Sequence, residues 1–278
     1  MNNKKNLFKR IRKFQKICWD IDKQSDEYKN NIFNWESIYV TRKISIWITY
    51  FLRNTKVTPN QITALWFFLG ILGACLLIYN DYTISLLALV LLYFSWILDN
   101  VDGELARYKK QFSIEGNFLD MLGHQVVIPM VFCCLTFSMI IQGENPILIF
   151  LGLLATTLVT PLTKMQENVW LLLSIKALAH GDKFDNCQKP QPITGKEKKT
   201  FRKLIITFVA MFFTHRGIFY LLIFTVLFDL TKIYLVFYGI GIPVVFIPRY
   251  LGRARELKTI AKDPYLLKNQ FSPEWLDF

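Results

Sequence analysis

Residues 82–124, YTISLLALVLLYFSWILDNVDGELARYKKQFSIEGNFLDMLGH, decide how this chain is read. They open with an apolar run long enough to cross a hydrocarbon core of ~30 Å, and they pass without a break into acids, glycines and an arginine. A basic turn with Arg107, Lys109 and Lys110 follows, and a second apolar run begins near Gly116. Asp99 and Asp102 stand three residues apart, and Asp120 and His124 four apart, so each pair shares one helical face. Two such faces on antiparallel neighbouring helices can meet. Carboxylates at the end of a span repel one another and desolvate badly unless a cation sits between them, and hard oxygen ligands favour Mg²⁺ or Mn²⁺ over zinc.

Working outward, apolar runs recur at about 60–79, 82–103, 116–141, 146–168, 215–232 and 233–251. The expectation is an all-α integral membrane protein with six spans, at roughly 20 residues per span. With 53% apolar and 15% aromatic residues, 19% charged residues and a mean hydropathy of +0.28, the chain is not an ordinary soluble domain. Of its 33 basic residues all but Arg216 and Lys232 gather before residue 58, in the turn after span two, between residues 164 and 203, and after residue 248. The loops at 80–81 and 142–145 carry no Lys or Arg. That alternation places both termini in the cytoplasm of a cell (inner) membrane protein. It also explains the net charge of +12 as contact with an anionic bilayer rather than with nucleic acid. The expected organisation is a basic segment 1–57, a membrane domain 58–252 with a cytoplasmic loop at about 169–203, and a tail 253–278. Residues around 38–53 alternate apolar and basic side chains and are expected to form an amphipathic interfacial helix. The first residues, MNNKKNLFKRIRKFQK, lack the apolar stretch of a cleavable signal. Five scattered cysteines without a C-x-x-C pair read as reduced thiols.

Beside the acids, Gly103 and Gly116 let a helix backbone approach a ligand or another helix closely, and Ala106 does so more weakly. Arg107 offers a planar fork for phosphate oxygens. The spacing D-x2-D-G-x2-A-R-x8-G-x3-D-x3-H, from Asp99 to His124, resembles the signature of the CDP-alcohol phosphatidyltransferase family. The agreement extends to the basic segment and to Thr58, Pro59, Asn60, Gln61, Ile62 and Thr63 opening the first span.

The resemblance implies transfer of a substituted phosphoryl group, usually phosphatidyl from CDP-diacylglycerol, to an alcohol acceptor with release of CMP. It implies two divalent cations, Mg²⁺ or Mn²⁺, with Asp99, Asp102 and Asp120 as ligands. Gly103, Ala106 and Arg107 then form the seat for cytidine and phosphate, and a homodimer is expected. Where the family carries a last acid that activates the acceptor, this chain has His124. Three readings stand open: a general base at neutral pH, a nitrogen ligand that tilts the site toward Mn²⁺, or a mark of impaired catalysis. Arg216 either snorkels at a span end or reaches a substrate phosphate, and Asn60 belongs either to a helix cap with Thr58 or to the substrate site. A sugar or polyol donor or acceptor, and a non-catalytic binder or transporter of such ligands, are the alternatives to a phospholipid synthase.

Overall fold

The computed structural model describes residues 11, 13–19, 37–161, 209 and 211–260. The expected loop at 169–203, the end of the fourth expected span, Cys187 and the tail beyond residue 260 lie outside these. The described residues form helices and no strand. After a π-helical turn, Ser37–Thr41, come α1 (Arg42–Leu52), α2 (Pro59–Leu76), α3 (Tyr82–Lys109), α4 (Ile114–Ile141), α5 (Pro146–Pro161), α6 (His215–Leu227) and α7 (Thr231–Ile260).

The helix starts follow local chemistry. At α2, the Thr58 hydroxyl accepts from the Gln61 amide while the Gln61 side chain accepts from the Thr58 amide, with Pro59 in the first turn. Asp81, Ser113 and Thr214 accept from backbone amides at the starts of α3, α4 and α6. At its far end, α3 stops at Lys110, whose left-handed backbone turns the chain toward α4.

Among the described residues four helices are long and apolar enough to cross a membrane: α2, α3, α4 and Thr231–Gly252 of α7. Of the run expected at 146–168 the described residues reach Pro161, and the run expected at 215–232 closes early, at Leu227, in a turn before α7. The second run, expected to end at 103, instead continues as helix to Lys109. At ~1.5 Å per residue, the 28 residues of α3 exceed a ~30 Å core.

Neighbouring helices close a ring in the order α3, α2, α4, α7, α6 and back to α3, with α1 laid on α3. Packed between α4 and α7, α5 comes so near that a Cβ on Gly152 would strike Thr136, and one on Gly239 would strike Leu151. The main core joins Leu92, Phe132, Leu135, Val159, Leu222, Tyr234, Tyr238 and Ile242. A smaller one, Ile62, Trp66, Leu98, Val101 and Leu105, fastens α2 to the motif end of α3.

The face that α1 buries differs from the apolar stripe expected of it. Ile38 and Ile46 are buried, but so are Ser37, Thr41, Ser45 and Thr49, spaced every four residues, while Ile44 and Phe51 are exposed. The physical reason is Glu104 of α3. Its buried carboxylate accepts from Ser45 Oγ and Thr49 Oγ1, both at 2.8 Å, and from Arg42 Nη1 at 3.0 Å. A carboxylate with three donors can be held out of water, and those donors must face inward to reach it. Among the described cysteines all are free; Cys18 and Cys134 are buried and Cys133 is exposed.

Candidate functional site

Between the end of α3, the start of α2 and the start of α4 lies a cleft of about 500 Å³. Its walls carry Asn60, Asp99, Asp102, Gly103, Ala106, Arg107, Gly116 and Asp120, so eight of the ten candidate residues meet in one space. The exceptions are His124 and Arg216. His124 does not itself line the cleft but touches Asp99, which does, and Arg216, half-buried at the second position of α6, does not line it either.

The acid end is built from two helices that approach across α2, which packs against both α3 and α4. His124 Nε2 is 3.1 Å from Asp99 Oδ1 and 3.6 Å from Asp120 Oδ1. One ligand atom from each of Asp99, Asp120 and His124 lies within 4.8 Å of the others. Two carboxylate oxygens and an imidazole nitrogen converging from two helices fit a divalent cation of the Mg²⁺ or Mn²⁺ kind, the nitrogen leaning toward Mn²⁺. Asp102 lines the same cleft but stands apart from that trio. Its Oδ2 accepts from Thr63 Oγ1 at 2.7 Å and from Trp66 Nε1 at 2.9 Å, both on α2. These two donors orient the carboxylate and leave Oδ1 for the cleft. The Trp66 indole also lies beside the His124 ring, centroids 5.1 Å apart and the planes tilted by 37°, and Gly123 makes room for it: a Cβ there would drive into the indole.

The other residues divide by neighbour. The nearest atoms to a Cβ on Gly103 would be those of the Arg107 guanidinium, at 3.4 Å, so Arg107 folds back over Gly103, and both line the cleft with Ala106. Arg107 Nε donates to the Cys18 carbonyl. Asn60 does not share in capping α2; that is the work of Thr58. Its amide donates to Ser113 Oγ at 3.1 Å, and a Cβ on Gly116 would collide with it, so Asn60 pins the start of α4 against α2.

Four residues take part without a role in the motif, Trp66, His215, Arg42 and Glu104, and Thr63, which helps open the first span, joins them by holding Asp102. The His215 ring stands edge-on to His124, centroids 5.0 Å apart at 85°. Only tertiary structure makes these partners, although the four-residue spacing of Ser37, Thr41, Ser45 and Thr49 is a legible sign of a polar face on α1.

Fold and site together define a helical protein of membrane-spanning type with an acid-lined cleft at one end of its bundle. The CDP-alcohol phosphatidyltransferase family model matches residues 56–230, well over half of the chain, and the chain belongs to that family. A bifunctional IPC transferase and DIPP synthase of Thermococcus kodakarensis is 37% identical over 120 residues, which are 43% of this chain and 26% of that protein. The chain thus matches about a quarter of the length of this curated relative. The fold is also similar to the crystal structure of a phosphatidylinositol phosphate synthase of Mycobacterium tuberculosis with CDP-DAG bound. The TM-score is 0.47 at 15% identity, over 75% of this chain and 92% of that one.

Proposed function

We propose that this chain transfers a substituted phosphoryl group, phosphatidyl from CDP-diacylglycerol, to an alcohol acceptor with release of CMP, as a metal-dependent step of phospholipid synthesis. The observation that carries the reading is the meeting of the family's motif residues in one cleft, with Asp99, Asp120 and His124 gathered at its acid end. A lipid donor is favoured over a sugar or polyol one by the lip of that cleft. Phe112 and Ile114 line it while remaining exposed, Ile114 to 91%, which suits acyl chains entering from the bilayer.

Asp99, Asp120 and His124 would hold the cation, with Asp102 facing it from α3. When bound, the divalent ion or ion pair neutralises charge on the diphosphate oxygens. Gly103 and Ala106 give the cytidine a surface without side chains, and Arg107 pairs with phosphate. In the reaction the acceptor oxygen forms a bond to the donor phosphorus linked to the lipid. The bond from that phosphorus to the bridging oxygen breaks, and CMP leaves with the electron pair.

The acceptor's proton has two candidate destinations. Asp120 is 41% exposed and lines the cleft, so its second oxygen can take it. His124 can take it only if Nε2 is not a ligand, a reading favoured by the 3.1 Å pairing with Asp99 that orients the imidazole. The ligand reading is preferred because Nε2 points at both carboxylates. It predicts that His124→Ala raises the Mn²⁺ concentration for half-maximal activity, with turnover regained at high metal. An unchanged metal requirement with a lasting loss of kcat selects the base.

The proposed setting is six spans, α2 to α7, with α1 as an interfacial helix and the cleft and termini cytoplasmic, following the basic loops. In that arrangement residues 1–57, 58–252 and 253–278 are the N-terminal segment, membrane domain and tail. The test is CMP release by purified protein in lipid-containing detergent, with CDP-diacylglycerol, Mg²⁺ or Mn²⁺ and a panel of alcohol acceptors. Acceptor-dependent CMP that disappears in Asp120→Asn supports the reading. No CMP from folded protein with CDP-diacylglycerol or a CDP-polyol rejects it in favour of a non-catalytic binder.

A further inference from the structure

The cleft wall holds a cation that no motif residue accounts for. Arg42, on α1, lines the cleft together with Gly103, Ala106 and Arg107, yet it precedes the family-matched region, which begins at residue 56. Its surroundings are those of a side chain held in place. Nη1 sits 3.0 Å from Glu104 Oε1, the Trp19 ring covers the guanidinium at 5.0 Å, and the side chain is only 15% exposed. Glu104 itself is 1% exposed and is also satisfied by Ser45 and Thr49. Nε of Arg42 is buried and has no hydrogen-bond partner among the described residues. An unmatched buried N–H on a charged group is costly and calls for a reason.

The arrangement puts two guanidiniums, Arg42 and Arg107, on one wall, with Glu104 behind Arg42 already serving three donors and the cleft acids Asp99, Asp102 and Asp120 grouped toward the other end. Like charges kept together in a partly dry cleft are compensated when a polyanion lies against them. A planar fork anchored on one side and open on the other suits phosphate oxygens better than an ammonium does. We propose that Arg42 is a donor-binding residue, a second guanidinium for the diphosphate of the CDP-linked substrate, held by Glu104 and Trp19. The segment ahead of the family-matched region thereby becomes part of the active site. This rests on the proposed function, because the wall at Gly103 and Ala106 beside Arg42 is where that reading seats the nucleotide.

The experiment is steady-state CMP release with donor and acceptor varied separately, for the full chain and for Arg42→Gln, Arg42→Lys and Trp19→Leu. Arg42→Gln should raise the donor KM about 10-fold or more, the loss of one charge-assisted pair, and leave the acceptor KM within about twofold. Arg42→Lys should recover only part of that loss, because one ammonium cannot serve Glu104 and the diphosphate as a fork does. Trp19→Leu, which keeps both charges, should raise the donor KM by about threefold through looser placement of Arg42, and it decides the matter if Arg42→Gln does not fold. A donor KM unmoved in folded variants overturns the assignment, as does an increase confined to the acceptor KM. Where wild-type protein turns over and position 42 is silent, this inference alone fails. Where wild-type protein releases no CMP from any CDP donor, the proposed function has failed first.

Discussion

The two ends of the helix bundle bury their interiors by different means. Away from the cleft, α3, α4, α5, α6 and α7 meet through aliphatic and aromatic side chains. Even the polar atoms there take simple partners: the Tyr238 hydroxyl donates to the Phe212 carbonyl at 2.8 Å. At the cleft end, α1, α2 and α3 bury Glu104 and Asp102, each held by specific donors from a neighbouring helix. An apolar interface spreads its stabilisation over many contacts of ~0.1–0.2 kcal/mol each, so no single atom decides it. A buried carboxylate concentrates the outcome in three or four atoms, because a missing partner exposes the full cost of desolvation. The bundle is therefore tolerant at one end and exacting at the other, and the exacting end carries the chemistry.

The largest expected effect separates chemistry from folding altogether. Asp120→Asn, at a half-exposed position outside both cores, should cut CMP release at least about 100-fold while leaving the thermal unfolding midpoint in detergent within a degree or two. A large fall in the midpoint would make Asp120 part of the scaffold and blunt the contrast. Next, Glu104→Ala should destabilise by about 3–5 kcal/mol, since it strands Arg42 in a partly buried position. Glu104→Gln should cost visibly less, because one oxygen still accepts. Thermal unfolding of the pair measures the difference, and equal costs would mean that packing alone holds α1.

Gly123→Val tests whether the ends can be coupled. The added side chain must displace the Trp66 indole, at about 1–3 kcal/mol for overpacking, and it loosens the donor to Asp102. Turnover should fall along with stability, and unchanged kcat would uncouple Trp66 from the site. The smallest effect belongs to Tyr238→Phe. Loss of its hydrogen bond to the Phe212 carbonyl should cost about 1 kcal/mol, with CMP release unaltered.

Legibility in the sequence follows the same division. The α2 cap was readable because Thr58, Pro59 and Gln61 are local and act on amides within three residues. The acids and Gly103, Ala106 and Arg107 could be paired by face because helical spacing fixes which side chains share a side. The run from 215 was read as longer than α6 because hydropathy does not register the turn at 228–230, where Asp229 takes a left-handed backbone. Asn60 stands beside the cap in sequence but bonds Ser113, 53 residues away, and it is His215, the neighbour of Arg216, that stands edge-on to His124 through space.

What the sequence by itself determined is the kind of molecule and the inventory of its chemistry: apolar helices, and a fixed order of acids, glycines and one arginine across the end of one of them and the start of the next. Those properties depend on composition and on periodicity within a single helix, which sequence records directly. Only the tertiary structure decided the partners. It turned the hydroxyls of α1 toward Glu104, set Asp102 on Thr63 and Trp66, and brought Arg42 to the wall of the cleft. A buried charge takes whichever donors packing brings within about 3 Å, and that distance is a property of several helices at once.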